Sequence, residues 1–429
     1  MNGLKAIIRR ININFAFAQG TYWTGYCAYA CFATVFLTGR GLSDTQIGTV
    51  ISSAAVGSIL LQTLLSSFCD KHPAIPLKRI GSILLSIVIG IAAILYLVPA
   101  SVSFVMALYI VGYACAASLN GFLNSIMMQH NNLGLPVNFG IPRGVGSISY
   151  AVTSFALGIV VEHTSPEITM PFTVALCAAA VLSIALMPRP DRVSVQYQLS
   201  PAASPAEKPC STFQMLRRNP LLVLLLLAII FAFTGQSVLM SFLIRAIENV
   251  GGSAADLGTC FLLSAGLELP AMLLSRPLLK KFGSKRLLTV SFFAFFLKSL
   301  ALALAPSIGF IYASNVFCIF AMGLFGFASV YFINSIVAST EKVRGQSLAS
   351  LCGSGGIGTV IGALLGGMIM DSLGITALLF ICAGFSLIGF LFALLVSRLH
   401  TRQSRAFAAA PSGEAIPPVN HAEFYENNY

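Results

Sequence analysis

The sequence predicts an all-helical, polytopic membrane protein of twelve spanning helices in two six-helix halves. Three observations carry that expectation. First, of 429 residues 57% are AVILMFWYC and only 9% are charged, with 37 glycines besides. A soluble chain of this length needs far more polar cover, so a cytosolic enzyme, a nucleic-acid binder and a disordered chain are excluded. Second, the apolar runs are long enough to cross about 30 Å of hydrocarbon at 1.5 Å per residue. Third, the positive residues alternate in a way that records topology rather than a ligand.

The runs fall at 15–38, 44–68, 80–99, 102–128, 141–161, 167–187, 220–244, 254–275, 287–306, 309–336, 345–370 and 374–397. Continuous helices satisfy their own backbone groups in lipid, and no series of alternating strands competes with them. The first run follows basic residues but is long and lacks a cleavage-like site, so it reads as a span and not as a cleaved signal. Between the sixth and seventh runs lies a Pro-, Ser- and Ala-rich stretch, the longest internal loop. The organisation is then a first half 1–187, a linker 188–219 predicted to be cytoplasmic, a second half 220–397 and a polar tail 398–429. The motif Phe122-Leu123-Asn124-Ser125-Ile126 in the fourth run returns as Phe332-Ile333-Asn334-Ser335-Ile336 in the tenth, six runs later. Such a six-plus-six repeat is a recurring plan of secondary transporters, with the solute site between the halves.

With both termini inside, 21 of the 25 Lys and Arg residues fall on the inner side. The outer loops carry Asp44, Glu162, Glu167, Glu248, Asp256 and Asp371. The expected location is a plasma (inner) membrane with N- and C-termini cytoplasmic. Four positives remain. Arg40 and Arg245 sit at outer helix ends, where they can snorkel to headgroups. Arg143 and Lys298 lie within apolar runs. Ten cysteines and five histidines are scattered without ligand spacing, so the thiols read as reduced packing residues, with no metal site and no cofactor. No nucleophile–base set and no nucleotide loop points to an enzyme.

Glu268 is the one acid deep in an apolar run, about 12 Å from the inner surface marked by Arg276; Lys298 lies about 18 Å in from Arg286. Charges at that depth should face a polar cavity or one another. A carboxyl beside a cation can also carry a proton. Arg143 and Tyr150, seven residues apart, share one helix face. A forked donor and a flat ring there suit a sugar, and equally a nucleoside or an aromatic acid. Asn120, Gln236 and Asn124 are uncharged polar residues within spans, able to donate to a solute or to join helices. Gly358, Gly362 and Gly366 repeat every four residues in the eleventh run, which lets backbones approach closely.

These residues resemble the major facilitator superfamily, and within it the lactose-permease-like oligosaccharide:proton symporters. The resemblance covers about 1–397. Ser66-Ser67-Phe68-Cys69-Asp70-Lys71 with Lys78-Arg79 is similar to the family's inner loop motif, which implies a gate role for Asp70, Lys78 and Arg79. Ala28-Tyr29 resembles the first helix, implying that Tyr29 lines the sugar cavity. Asn138-Phe139-Gly140 followed by Arg143 and Tyr150 resembles the start of the fifth helix, where the arginine grips sugar hydroxyls above an aromatic platform. Glu268 and Lys298 match a sugar-recognising, coupling glutamate and a basic residue of the ninth helix. The resemblance implies a monomeric importer of a small-molecule solute of sugar or oligosaccharide type, coupled to protons, surrounded by lipid and without a nucleic-acid partner. The departures are Met322 and Phe325 at the family's histidine and coupling glutamate, Asn120 at its carboxylate, and Thr234 and Gly358 at a structural ion pair. They leave open a nucleoside or aromatic-acid symporter, or a facilitator or exporter of amphipathic compounds with no proton step.

Overall fold

The computed structural model describes residues 2–72, 75–132, 140–187, 211–338 and 341–408. Most of the predicted linker, the tail beyond 408, and Asn138 and Phe139 lie outside the described residues. Everything described is helix, turn or bend, with no strand. Among the described residues, ten helices are apolar and long enough to cross a membrane. The last of them, Arg344–Gln403, is 60 residues long, enough for two crossings. The first predicted span lies before these ten, so the architecture is consistent with twelve crossings.

Span 1 is built in three pieces: Asn2–Tyr26, a π-helical turn Cys27–Cys31, and Ala33–Gly39. Span 2 is Asp44–Lys71; Ser43 accepts from the Gln46 N–H while the Gln46 side chain accepts from the Ser43 N–H, closing a capping box. Spans 3 to 6 are Leu77–Leu97, Val102–Asn132, Gly140–His163 and Thr169–Ala185. Span 7, Pro220–Asn249, begins with proline, whose missing N–H costs nothing in a first turn. Spans 8 and 9 are Ala254–Leu273 and Ser284–Ala303, joined by the short helix Ser275–Phe282. Span 10 is broken into Ile308–Ser314, Phe317–Phe320 and Met322–Ile336. Lys342–Cys352 leads into Ile357–Ala408, which holds spans 11 and 12 and turns at Gly374, where φ is +77°. Only glycine adopts that backbone freely.

The two ends of the bundle differ. At the end carrying the outer acids, the two sets of six spans are tied together. Arg245 of span 7 donates to Asp44 of span 2 at 2.9 Å, and also to Thr38 and Glu248. Asp371, at the end of span 11, accepts from the N–H groups of Asp44 and Thr45 at 3.2 and 2.7 Å, so a carboxylate sits on the N-terminus of span 2. Ser52 donates to the Val360 carbonyl, Ser253 to Glu162, and Thr34 to the Ser241 carbonyl. Arg245 is thus bound to protein, as is Arg40, which donates to the Leu95 carbonyl.

Two glycine crossings make this closeness possible. A Cβ on Gly367 would strike the Asp44 carbonyl, and one on Gly258 the Ser154 carbonyl. The hydrophobic core follows the same division. One cluster mixes the first six spans with residues such as Val238, Phe261, Leu302 and Leu378. A second, with Leu225, Phe292, Ala328 and Ile333, draws on no residue of the first six spans. The halves therefore share a core at the acidic end and keep separate cores toward the basic end.

Candidate functional site

Arg143 stands in the first turn of span 5. Its guanidinium lies over the Trp23 ring, 4.6 Å from the ring centre, and donates to Ser147 Oγ at 3.0 Å. A planar cation on an aromatic face is held electrostatically and keeps donors free at its edge. Trp23 is itself fixed, because its Nε1 donates to Gln19 Oε1 at 3.0 Å and Gln19 Nε2 donates to Asn124 Oδ1 at 3.4 Å. Two turns along span 5, Tyr150 meets Trp23 edge-on at 6.0 Å and Phe261 of span 8 edge-on at 6.2 Å. The Trp23–Tyr150–Phe261 ladder therefore runs from one half into the other.

Glu268 follows Phe261 by seven residues, so it lies on the same side of span 8. It is half-buried and within electrostatic reach of both Lys298 and Arg143. It makes an ion pair with neither, nor any hydrogen bond, among the described residues. A contact pair between the consecutive spans 8 and 9 is thus not formed; the carboxylate feels both cations through space without touching either. Lys298 is 7% exposed and lines a small pocket with Gln236, Ser264 and Asn315. Both amide atoms of Gln236 are buried without a partner, and so is Asn120 Oδ1. Buried polar groups left unsatisfied are costly, and they mark places where water or a ligand belongs.

The remaining predicted positions lie elsewhere. Tyr29 is 1% exposed, stacked on Tyr109 at 4.5 Å, with its hydroxyl near the Tyr109 carbonyl. Its ring is spent on joining spans 1 and 4. Lys78 donates to the carbonyls of Ala185 and Met187 at 3.0 and 2.9 Å, capping the C-terminal end of span 6 within the same half. Arg79 is exposed, and Asp70 sits in the last turn of span 2 with its side chain outside the described residues. Phe325 packs against Phe233, Phe292 and Phe295, so that position serves an aromatic cluster. Gln19, Phe261, Ser264 and Asn315 were missed. Gln19 carried a signal, since it precedes Trp23 by one helical turn. The others look like ordinary span residues until the fold brings them together.

The MFS_1 like family is matched over residues 19–382. The chain belongs to that family. It is therefore a member of the major facilitator superfamily, the family that its residues and motifs resemble. The maltose permease of Geobacillus stearothermophilus is 24% identical over 360 residues, which are 83% of this chain and 87% of that protein. The uncharacterized transporter YwbF of Bacillus subtilis (strain 168) is 23% identical, over 81% and 84% of the two chains. Among solved structures, the nucleoside transporter NupG superposes with a TM-score of 0.73 at 14% identity, covering 90% of this chain and 98% of that one. A bacterial homologue of the lysosomal transporter Spinster, inward-facing and unoccupied, gives 0.66 at 15%, covering 91% and 97%. These structures share the fold. This MFS_1-like protein is a multi-pass membrane transporter and not an enzyme.

Proposed function

We propose that this transporter imports a sugar or oligosaccharide-like solute by alternating access, with proton coupling through Glu268. The observation that carries the reading is the convergence of Arg143, stacked on Trp23, with the unpaired Glu268 and Lys298 across the interface between the halves. Guanidinium and carboxylate edges bind hydroxyls, and aromatic rings cover the apolar face of a sugar. Arg143, Tyr150, Glu268, Gln236 and Asn120 are the candidate solute contacts; Tyr29 would act only through packing. Glu268 and Lys298 are the candidate coupling pair, and Lys78 holds the inner loop. The segments 1–187 and 220–397 serve as the two rocking bodies. With the basic end cytoplasmic in a plasma (inner) membrane, the conformation described is closed outside. The maltose permease relative supports a sugar.

A second reading, a nucleoside, is favoured by the three-ring ladder, which suits a flat base. The experiment is uptake into proteoliposomes of radiolabelled maltose and uridine, with and without an inward proton gradient. Saturable disaccharide uptake enhanced by the gradient is expected. Uridine uptake alone would replace the first reading with the second, and transport indifferent to the gradient would remove the proton step.

A further inference from the structure

The pocket beside Lys298 has more to offer than its place in a solute path. It is small, with room for about one water-sized occupant. Its walls are mostly apolar, and most of its polar residues are already engaged. Ser264 Oγ donates to Asn315 Oδ1 at 2.6 Å; Asn315 Nδ2 donates to the Ile311 carbonyl at 3.1 Å; Ser314 Oγ donates to the same carbonyl. What remains free is the Lys298 ammonium, with no hydrogen bond or ion pair among the described residues, and the Gln236 amide, 4% exposed with neither atom partnered. The free groups are thus rich in donors: three N–H on the ammonium and two on the amide, against one free acceptor oxygen. No carboxylate lines the pocket.

A water molecule there would satisfy hydrogen bonds but not charge. A buried ammonium without a contact counter-ion is expensive, and Glu268 reaches it only through space. A monatomic anion, compact though larger than a water, meets both needs. We propose that Lys298 and Gln236 form a binding site for a small halide-type anion, chloride in solution, inside the last six spans. The site does not depend on which solute is carried. Its occupancy would neutralise Lys298 whenever the Glu268 carboxyl is engaged with solute or proton.

The test uses the purified full-length transporter in nanodiscs, with no organic solute present. Chloride is titrated against gluconate at constant ionic strength, and binding is read by labelled-chloride equilibrium and by the unfolding midpoint. Bromide is then located by anomalous scattering in crystals. One saturable site per chain is expected. Lys298→Met and Gln236→Leu should each weaken binding tenfold or more, while Lys280→Gln at the exposed basic surface leaves it unchanged. Should Lys298→Met fail to fold, Gln236→Leu, an apolar replacement of similar size, decides the matter. Binding unaltered in both pocket variants, or an ordered water only at Lys298 with no bromide peak, would overturn the proposal. Because no solute is present, failure of the sugar reading leaves this result untouched, and the reverse holds as well.

Discussion

At the scale of single residues, very few charges lie within the spans, and the proposed chemistry rests on them. Glu268 is half-buried, touches no cation and feels two. Glutamine keeps its shape and removes both the charge and the titration. Glu268→Gln is therefore expected to abolish accumulation driven by a pH gradient while retaining solute counterflow; full uphill uptake in that variant would sink the coupling role. Arg143 is a different kind of residue, since its value lies in a planar fork laid on Trp23. Lysine keeps the charge but neither stacks as well nor presents two parallel donors. Loss of about 1–2 kcal/mol follows, or roughly tenfold weaker solute binding, measured as a Kd by titration. An unchanged Kd in Arg143→Lys would mean that only its charge counts. Both residues were legible in the sequence, because a lone charge in an apolar run announces itself. Tyr29 reads, by resemblance, as lining the sugar cavity. Its stacking on Tyr109 depends on where span 4 lies, which no local pattern records.

Individual helices are set by local rules, their contacts by small residues. The runs read from hydropathy correspond to helices, but their ends and breaks shift. The run 220–244 extends to Asn249, and that extra turn carries Arg245 to Asp44 on span 2 and Thr38 on span 1. Span 1 is interrupted by a π turn at Cys27–Cys31, and span 10 breaks twice, neither with a proline to signal it. Glycines on span 11 serve two neighbours. Gly362 abuts the Thr234 carbonyl of span 7, and Gly367 abuts Asp44 of span 2. Gly367→Val forces a branched side chain against backbone and should cost about 1–3 kcal/mol in the closed arrangement. Spin labels at Thr164 and Ser372, both exposed at the acidic end, would report it as a longer-distance population absent from the native protein. A distance distribution identical to native would show that the crossing yields without opening.

Across the whole molecule, closure is asymmetric. Beside the shared core, the polar ties at the acidic end include Arg245 to Asp44 and Thr38, Asp371 to the N-terminus of span 2, and Ser253 to Glu162. With side chains of Arg245 and Asp44 only 18% and 11% exposed, the ion pair is better shielded than a surface pair. Arg245→Gln should release about 1–2 kcal/mol of that closure, shifting the balance between closed and open outer ends by a factor of roughly 5–30. The same pair of spin labels measures this shift. An unaltered balance would assign closure to the remaining polar ties, the glycine crossings and the shared core.

The sequence by itself determined the class, the number of crossings it is consistent with, the side on which the cations gather, and the identity of Arg143, Glu268 and Lys298 as charges that must be accommodated. Those follow from one-dimensional quantities: run length, composition and the cost of burying charge. Tertiary structure alone decided that Glu268 and Lys298 stay out of contact, that Trp23, Tyr150 and Phe261 form one ladder, that Gln236 has no partner, and that, among the described residues, the polar ties between the halves gather toward the acidic end. These depend on helix rotation and crossing. In a chain that is apolar on nearly every face, hydropathy does not say which face turns inward, so packing of small residues and pairing of the few polar groups must do so.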